Sequence, residues 1–193
     1  LMLSATIGNP HQIAGWLEAI RDKKCIVIEN NDRPVPLFPL FLHPSGTLFP
    51  LLEKKKQSAR LHKKVFQFKS KSKPNRFPGQ GKLPPFDQIL EILNRYDLLP
   101  AIFFLKSRKE CDQAIRLCSP ELLVRYPEKQ AKLKQTLQEL VHTNPHLAGH
   151  KQRAYLESTA TAAHHSGHLP SWKVVVETLM ARGLLFAMFA TST

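Results

Sequence analysis

Ala101-Ile102-Phe103-Phe104-Leu105-Lys106-Ser107-Arg108-Lys109-Glu110-Cys111-Asp112 carries a strand directly into a capped helix. The apolar run that follows Pro100 reads as a buried strand. Ser107, with Glu110 three residues on, reads as a helix N-cap and its capping box. Cys111, Ala114 and Ile115 then recur at helical spacing and give that helix a buried face. Upstream, Phe86, Ile89, Leu90 and Leu93 form one helical stripe, so the segment is a helix, strand, helix unit. Downstream, Leu133, Leu137, Leu140 and Val141 mark an amphipathic helix within a helical insertion at about 119–158. Trp172, Val175, Val176 and Leu179 make the last stripe, closed by Gly183, and Phe186 to Ala190 is another apolar strand. Strands alternating with amphipathic helices predict an α/β fold with a doubly wound parallel sheet.

The amino-terminal part is thinner. Leu1 to Leu3 read as a strand, Asn9 as the cap of a helix with Pro10 at its first position, and Gln12 as the partner in a capping box. Ile13, Trp16, Leu17 and Ile20 form that helix's apolar face, and Cys25 to Glu29 look like a further strand. Trp16 and Trp172, on apolar stripes, are expected in the core. Residues 1–32 are too short to build a core of their own, so they are expected to pack on the rest of the chain or to be loosely held. A strand is expected from Val35 to Leu42, at an edge or irregular because of Pro36 and Pro39. Residues 53–85 break the pattern with lysine runs around Val65-Phe66-Gln67-Phe68, a candidate strand, and with a Pro- and Gly-rich stretch from Pro74 to Pro85 that reads as a mobile basic loop.

Composition bounds the partners. The 193 residues carry 28 Lys and Arg against 15 Asp and Glu, a formal charge of +13, and 42% are hydrophobic. Such a chain can bury a core and attracts polyanions, nucleic acid first and an anionic membrane second. No run of about 18 apolar residues is present to span a bilayer. Three cysteines, Cys25, Cys111 and Cys118, argue against a disulfide framework and for a reducing compartment. The cytoplasm is the expected location, with nucleoid or nucleus as alternatives.

Ser107, Arg108 and Lys109 place a hydroxyl, amides and cations at a helix start on the ligand-binding edge of the sheet, which suits a phosphate. A capped helix with solvated charges is the plainer reading. Ser4 and Thr6 stand at the carboxyl end of the first strand, the edge where open α/β sheets bind ligands. His164, His165 and His168 do not read as a metal site, because His164 and His165 face opposite ways on a continued strand and no Cys or carboxylate nearby completes a set. The lysine runs at Lys54 to Lys56 and Lys69 to Lys73 read as solvated loops or as an electrostatic funnel for a strand.

The order of motifs is more specific than any one of them. Ser4-Ala5-Thr6, then Asn31-Asp32-Arg33-Pro34-Val35-Pro36-Leu37, then Ala101 to Asp112, then Ala163-His164-His165-Ser166-Gly167-His168-Leu169-Pro170, and finally Leu185 to Thr193 together resemble superfamily-two DExH-box helicases. The resemblance is to the group of exosome-associated RNA helicases and archaeal DNA repair helicases, from the Ser-Ala-Thr motif to the start of the fifth motif. It implies the end of a first RecA-like lobe at 1–32 and an incomplete second lobe at 33–193. It also implies a parent enzyme driven by ATP and Mg2+, gripping single-stranded nucleic acid, with RNA favoured over DNA and the missing portions of the first lobe as partner. By the same resemblance Ser4 and Thr6 couple hydrolysis to strand contact, while Ser107, Arg108, Lys109 and Thr191 hold the backbone. His165 and Gly167 would then approach a sugar or phosphate, with His164 packed inward; a turn that merely orients the next helix is the alternative.

The nucleotide site itself is not spelled out. No G-x-x-x-x-G-K-[ST] occurs, and Gly79-Gln80-Gly81-Lys82-Leu83 has Arg76 where the first glycine belongs. No acidic DExH-type tetrad and no Gln-x-x-Gly-Arg-x-x-Arg run occurs either. With Leu1 inside a strand and Thr193 just past another, the chain reads as an excised piece that is inactive alone. The remaining alternative is a non-enzymatic basic module for nucleic acid or protein.

Overall fold

Pro10 at the first helical position starts α1 (Pro10–Arg21) in the computed structural model, which describes residues 8–30, 34–55, 58–65 and 84–191. Asn9 is the N-cap, but its side chain donates to Gln12 Oε1 at 3.4 Å instead of capping a backbone amide. The chain divides into two compact units, Leu1–Phe38 and Pro39–Thr193, against an expected division after residue 32. Among the described residues of the first unit only Ala14 of α1 is buried, and Trp16, expected in a core, is 64% exposed. A single short helix has too little apolar surface around it to cover an indole. Cys25 to Glu29 do not form the expected strand, and Ile26 and Ile28 are exposed. A strand needs a hydrogen-bonded neighbour, and none is present there among the described residues. Leu1 to Leu3, Ser4 and Thr6 lie outside the described residues.

The second unit opens with two antiparallel hairpins. β1 (Leu40–Leu42) pairs with β2 (Leu48–Pro50), and β3 (Leu52–Lys55) with β4 (Ser58–Leu61). The strand expected from Val35 is thus confined to its last residues and lies outside the parallel sheet, because Pro36 and Pro39 cannot donate to a ladder. Gly46 turns the first hairpin at φ +81°, and a Cβ there would meet Ile92 Cδ1 at 3.2 Å. Part of the region read as a basic loop is therefore an ordered hairpin, and residues 63–65 form a helical turn in place of the start of a strand. Phe66 to Phe68 and most of Pro74 to Pro85 lie outside the described residues.

The α/β expectation holds in the remainder. α2 (Phe86–Arg95) leads to β5 (Ala101–Leu105) and α3 (Arg108–Arg116). The insertion supplies α4 (Glu121–Val124), α5 (Pro127–Thr143), a 3₁₀ turn (Pro145–Leu147) and α6 (Arg153–Thr159). β6 (Thr161–His164), α7 (Pro170–Ala181) and β7 (Ala187–Thr191) complete the order. β5, β7 and β6 form an all-parallel sheet in that order, flanked by helices, as in a fragment of a RecA-like lobe.

The core lies between this sheet and the helices, and Trp172, Phe189, Leu133, Leu137 and Leu156 are fully buried in it. The α7 stripe read from sequence is the buried face, with Trp172, Val175, Val176 and Leu179 all covered. Gly183 ends α7 at φ +67°: its amide donates to Met180 O at 3.0 Å and that of Leu184 to Leu179 O at 2.9 Å, a Schellman closure that glycine adopts without strain. Among the described residues β5 is an edge strand, with Phe104 68% exposed, whereas β7 is central and covered.

Candidate nucleic-acid interface

Parallel pairing brings the strand ends together. Leu105 is opposite Thr191, and His164 is opposite Ala190, so the segments after β5 and β6 and the last residue of β7 share the carboxyl edge of the sheet. Ser107, Arg108, Lys109, Gly167 and Thr191, five of the sequence candidates, therefore converge on one edge although they span more than half of the second unit.

The cap is local chemistry. Ser107, extended at φ −146° and ψ 156°, accepts from the Glu110 amide at 3.2 Å, and Glu110 Oε2 accepts from the Lys106 amide at 3.0 Å. The reciprocal bonds of a capping box are thus present with the return bond displaced by one residue. The amides of Arg108 and Lys109 remain as first-turn donors with no carbonyl a turn behind them in the helix. A helix start with these amides and cations at the sheet edge has the donors and the field that an anion requires.

Gly167 is there for close approach. A Cβ on it would meet His165 Nδ1 at 3.1 Å, His165 Cε1 at 3.2 Å and Arg108 Cδ at 3.4 Å. The turn after β6 therefore lies against the stem of Arg108 and fixes where its guanidinium starts from.

The histidines are arranged opposite to expectation. His165 is the inward one: its side chain is 4% exposed, Nδ1 accepts from the Gly167 amide at 3.2 Å, and Nε2 is 3.3 Å from Asp112 Oδ1. His164 is the outer one, with Nε2 2.7 Å from Glu177 Oε1. The strand stops at His164, so the inward and outward alternation does not carry on to His165, which begins a turn closed by the His168 amide donating to His165 O at 3.1 Å. With both ring nitrogens engaged, His165 is placed to position the turn.

Behind the edge runs a polar network that sequence reading missed. Gln152, buried, accepts from the Ala163 amide at 3.1 Å through Oε1, while its Nε2 donates to Asp112 Oδ1 at 2.9 Å and to His168 Nε2 at 2.8 Å. Burial, reinforced by His165, pushes the His168 imidazole down to about 4 against the pull of Asp112, so the ring is neutral near pH 7. Burial likewise lowers His150, which stacks on Trp172 with centroids 3.8 Å apart. Asp112 supplies the carboxylate that the histidines lacked in sequence. Its signal was the helical spacing from Arg108 to Asp112, which puts both on one face of α3. Gln152 gave no signal, since a glutamine in a helical insertion reads as surface.

No family model matches the chain. Probable helicase HelY of Mycobacterium tuberculosis is 29% identical over 213 residues, covering 99% of this chain and 23% of that protein. Superkiller complex protein 2 of Homo sapiens is 31% identical over 216 residues, covering 100% of the chain and 17% of that protein. DExH-box ATP-dependent RNA helicase DExH15 of Arabidopsis thaliana is 27% identical over 233 residues, covering 100% and 20%. The chain spans about a fifth of the length of these relatives. A match across the whole chain to named helicases, added to the ordered motifs and the parallel sheet that gathers them, supports a place for the chain among the superfamily-two DExH-box helicases.

Proposed function

We propose that this chain is the coupling and backbone-gripping part of an ATP-dependent helicase that translocates on single-stranded nucleic acid, RNA by preference. The first unit would supply the end of the first lobe and the second unit most of the second lobe. The observation that carries this reading is the convergence of Ser107, Arg108, Lys109 and Thr191 on one carboxyl edge of the parallel sheet. A phosphate resting there would take the first-turn amides of α3, the guanidinium of Arg108 and the hydroxyl of Thr191. Such contacts position a backbone and carry no base sequence, which is what a motor stepping along any strand requires. The names of the relatives, a helicase for HelY and an RNA helicase for DExH15, support the class and the lean to RNA.

ATP and Mg2+ do not fit the residues present. The sequence holds no phosphate loop and no acidic tetrad, so both would be bound mainly by other segments of the parent. The role left to this chain is coupling, assigned to Ser4 and Thr6. In the parent enzyme, Ser4→Ala with Thr6→Ala should leave most ATP hydrolysis intact and impair unwinding. A parallel loss of both activities refutes the coupling role.

Grip is tested by fluorescence anisotropy with matched single-stranded RNA and DNA across a salt series. Arg108→Ala with Thr191→Ala should weaken binding about tenfold or more and lower the slope of log affinity against log salt by about 1. Unchanged binding in the double variant means that the lysine runs act alone and that the edge site is wrong. A second reading, a basic module without enzymatic activity, is favoured by the charge of +13 and the missing nucleotide motifs. A coding sequence that runs upstream through a phosphate loop decides for the enzyme.

A further inference from the structure

We propose that Asp112, His165 and His168 form a binding site for one divalent cation of the zinc type, which clips the first turns of α3 to the turn after β6. The three side chains come from segments 53 residues apart, and their nearest donor atoms all lie within 4.8 Å of one another. His165 Nε2 is 3.3 Å and His168 Nε2 3.7 Å from the same oxygen, Asp112 Oδ1. Around a tetrahedral zinc with bonds of about 2.0–2.1 Å, neighbouring donors stand about 3.3 Å apart, so the two histidine–aspartate pairs are near that spacing and the set as a whole draws in from within 4.8 Å. Two nitrogens and one carboxylate oxygen suit zinc and its transition-metal neighbours, and offer too few oxygens for calcium or magnesium.

The three side chains are gathered before any ion arrives. The imidazoles are 4% and 9% exposed and stack with centroids 3.7 Å apart, and both Nε2 atoms approach the same oxygen of Asp112. His168 carries an unexplained cost: its Nδ1 is buried with no hydrogen-bond partner. Leucine would fill the same space without an orphaned donor; what the imidazole adds is Nε2, which accepts from the Gln152 amide at 2.8 Å. Nε2 now meets the Gln152 amide, whose hydrogens also reach Asp112 and so occupy the position of the cation. Asp112 is 43% exposed, which gives an ion a way in and leaves room for a water as fourth ligand.

The proton balance is simple. His165 holds its proton on Nε2, because Nδ1 accepts from the Gly167 amide. On metal binding the neutral ring takes the other tautomer, with the proton on Nδ1, and that amide turns away. His168 Nε2 accepts from the Gln152 amide, so its proton sits on Nδ1; Gln152 yields that lone pair to the ion, and Asp112 binds as carboxylate. No electron moves.

The test uses the whole chain, stripped with chelator and titrated with zinc by calorimetry, and with cobalt followed by visible absorption. The expected result is one equivalent bound at micromolar Kd or tighter, cobalt bands of four-coordinate intensity, and a higher unfolding temperature with zinc. His168→Leu, which removes the orphaned donor and keeps the volume, should weaken that equivalent at least tenfold. Asp112→Asn, on a partly exposed side chain, should do the same while the circular dichroism stays that of the parent chain. Failure of the unsubstituted chain to take up zinc or cobalt, or retention of the equivalent in both variants, overturns the site. None of these readouts depends on nucleic-acid binding.

Discussion

Phe189→Ala should lower the stability of the second unit by about 3–5 kcal/mol, the range for emptying a buried aromatic site. Phe189 is fully buried on β7, the strand that pairs on both sides. Its ring stands 4.8 Å from that of Phe86 at 71° and 5.1 Å from that of Phe103 at 22°, while Phe86 and Phe103 are 5.6 Å apart at 78°. The three rings join α2, β5 and β7, so truncation loses transfer free energy and two aromatic pairs and leaves a cavity that three rigid elements cannot close. Phe104→Ala is the internal control. That ring is mostly exposed on the free side of β5, and its loss should cost within about 0.5 kcal/mol. Urea unfolding followed through the buried Trp172 reads both, and equal effects would mean that the three rings do not pack as one cluster.

That asymmetry along β5 also separates what was legible in the sequence from what was not. Ala101 to Leu105 is apolar at every position, which a reader takes as a strand covered on both faces, and the strand itself is there. Its place in the sheet was not readable, since pairing with β7 is a contact across 86 residues, Ala101 to Ala187, and no local pattern records it. Local signals held where the physics is local: the Ser107 cap, the Gly183 closure, and the stripes of α2, α5 and α7. Around Pro36 and Pro39 the apolar run misled, because hydrophobicity marks a strand only where the amides can also pair.

The candidate site divides along the same line. Its hydroxyls and cations at strand ends were legible, because the carboxyl edge follows from the α/β class alone. The orientation of His165 was not, since it depends on the residue at which β6 stops. The network of Asp112, Gln152 and His168 was illegible for a further reason. It is assembled from α3, the segment before α6 and the turn after β6, and each member alone is an ordinary polar residue. Trp16 and Trp172 show the limit from another side: both sit on helical stripes, but only the second unit has enough chain to bury one.

Alkali should destabilise the second unit through Cys118. The chain has free thiols at Cys25, Cys111 and Cys118, and Cys118 is buried at the end of α3 with Sγ donating to Ala114 O at 3.3 Å. Burial pushes its thiol up from 9.0 to about 12, with Thr161 pulling slightly the other way and Asp87 adding to the rise. The unfolded chain therefore releases this proton first. The stability it represents is complete below about pH 9 and is lost as pH rises toward 12. At about 1.4 kcal/mol per unit, the loss is about 2 kcal/mol by pH 10.5 and about 4 kcal/mol by pH 12. Cys111, raised to about 11 by burial and then by the charges of Asp112 and Glu110, adds in the same direction. Urea midpoints between pH 8 and 10.5 should fall for the unsubstituted chain and fall less for Cys118→Ala, whose absolute stability is lower but whose pH slope lacks this group. A disulfide reagent near neutral pH gives the companion reading: Cys25, only half-buried, should react in the folded chain, and Cys111 and Cys118 only as fast as the second unit opens. Equal slopes for the two chains, or prompt reaction of Cys118, would place that thiol in water and remove α3 from the core.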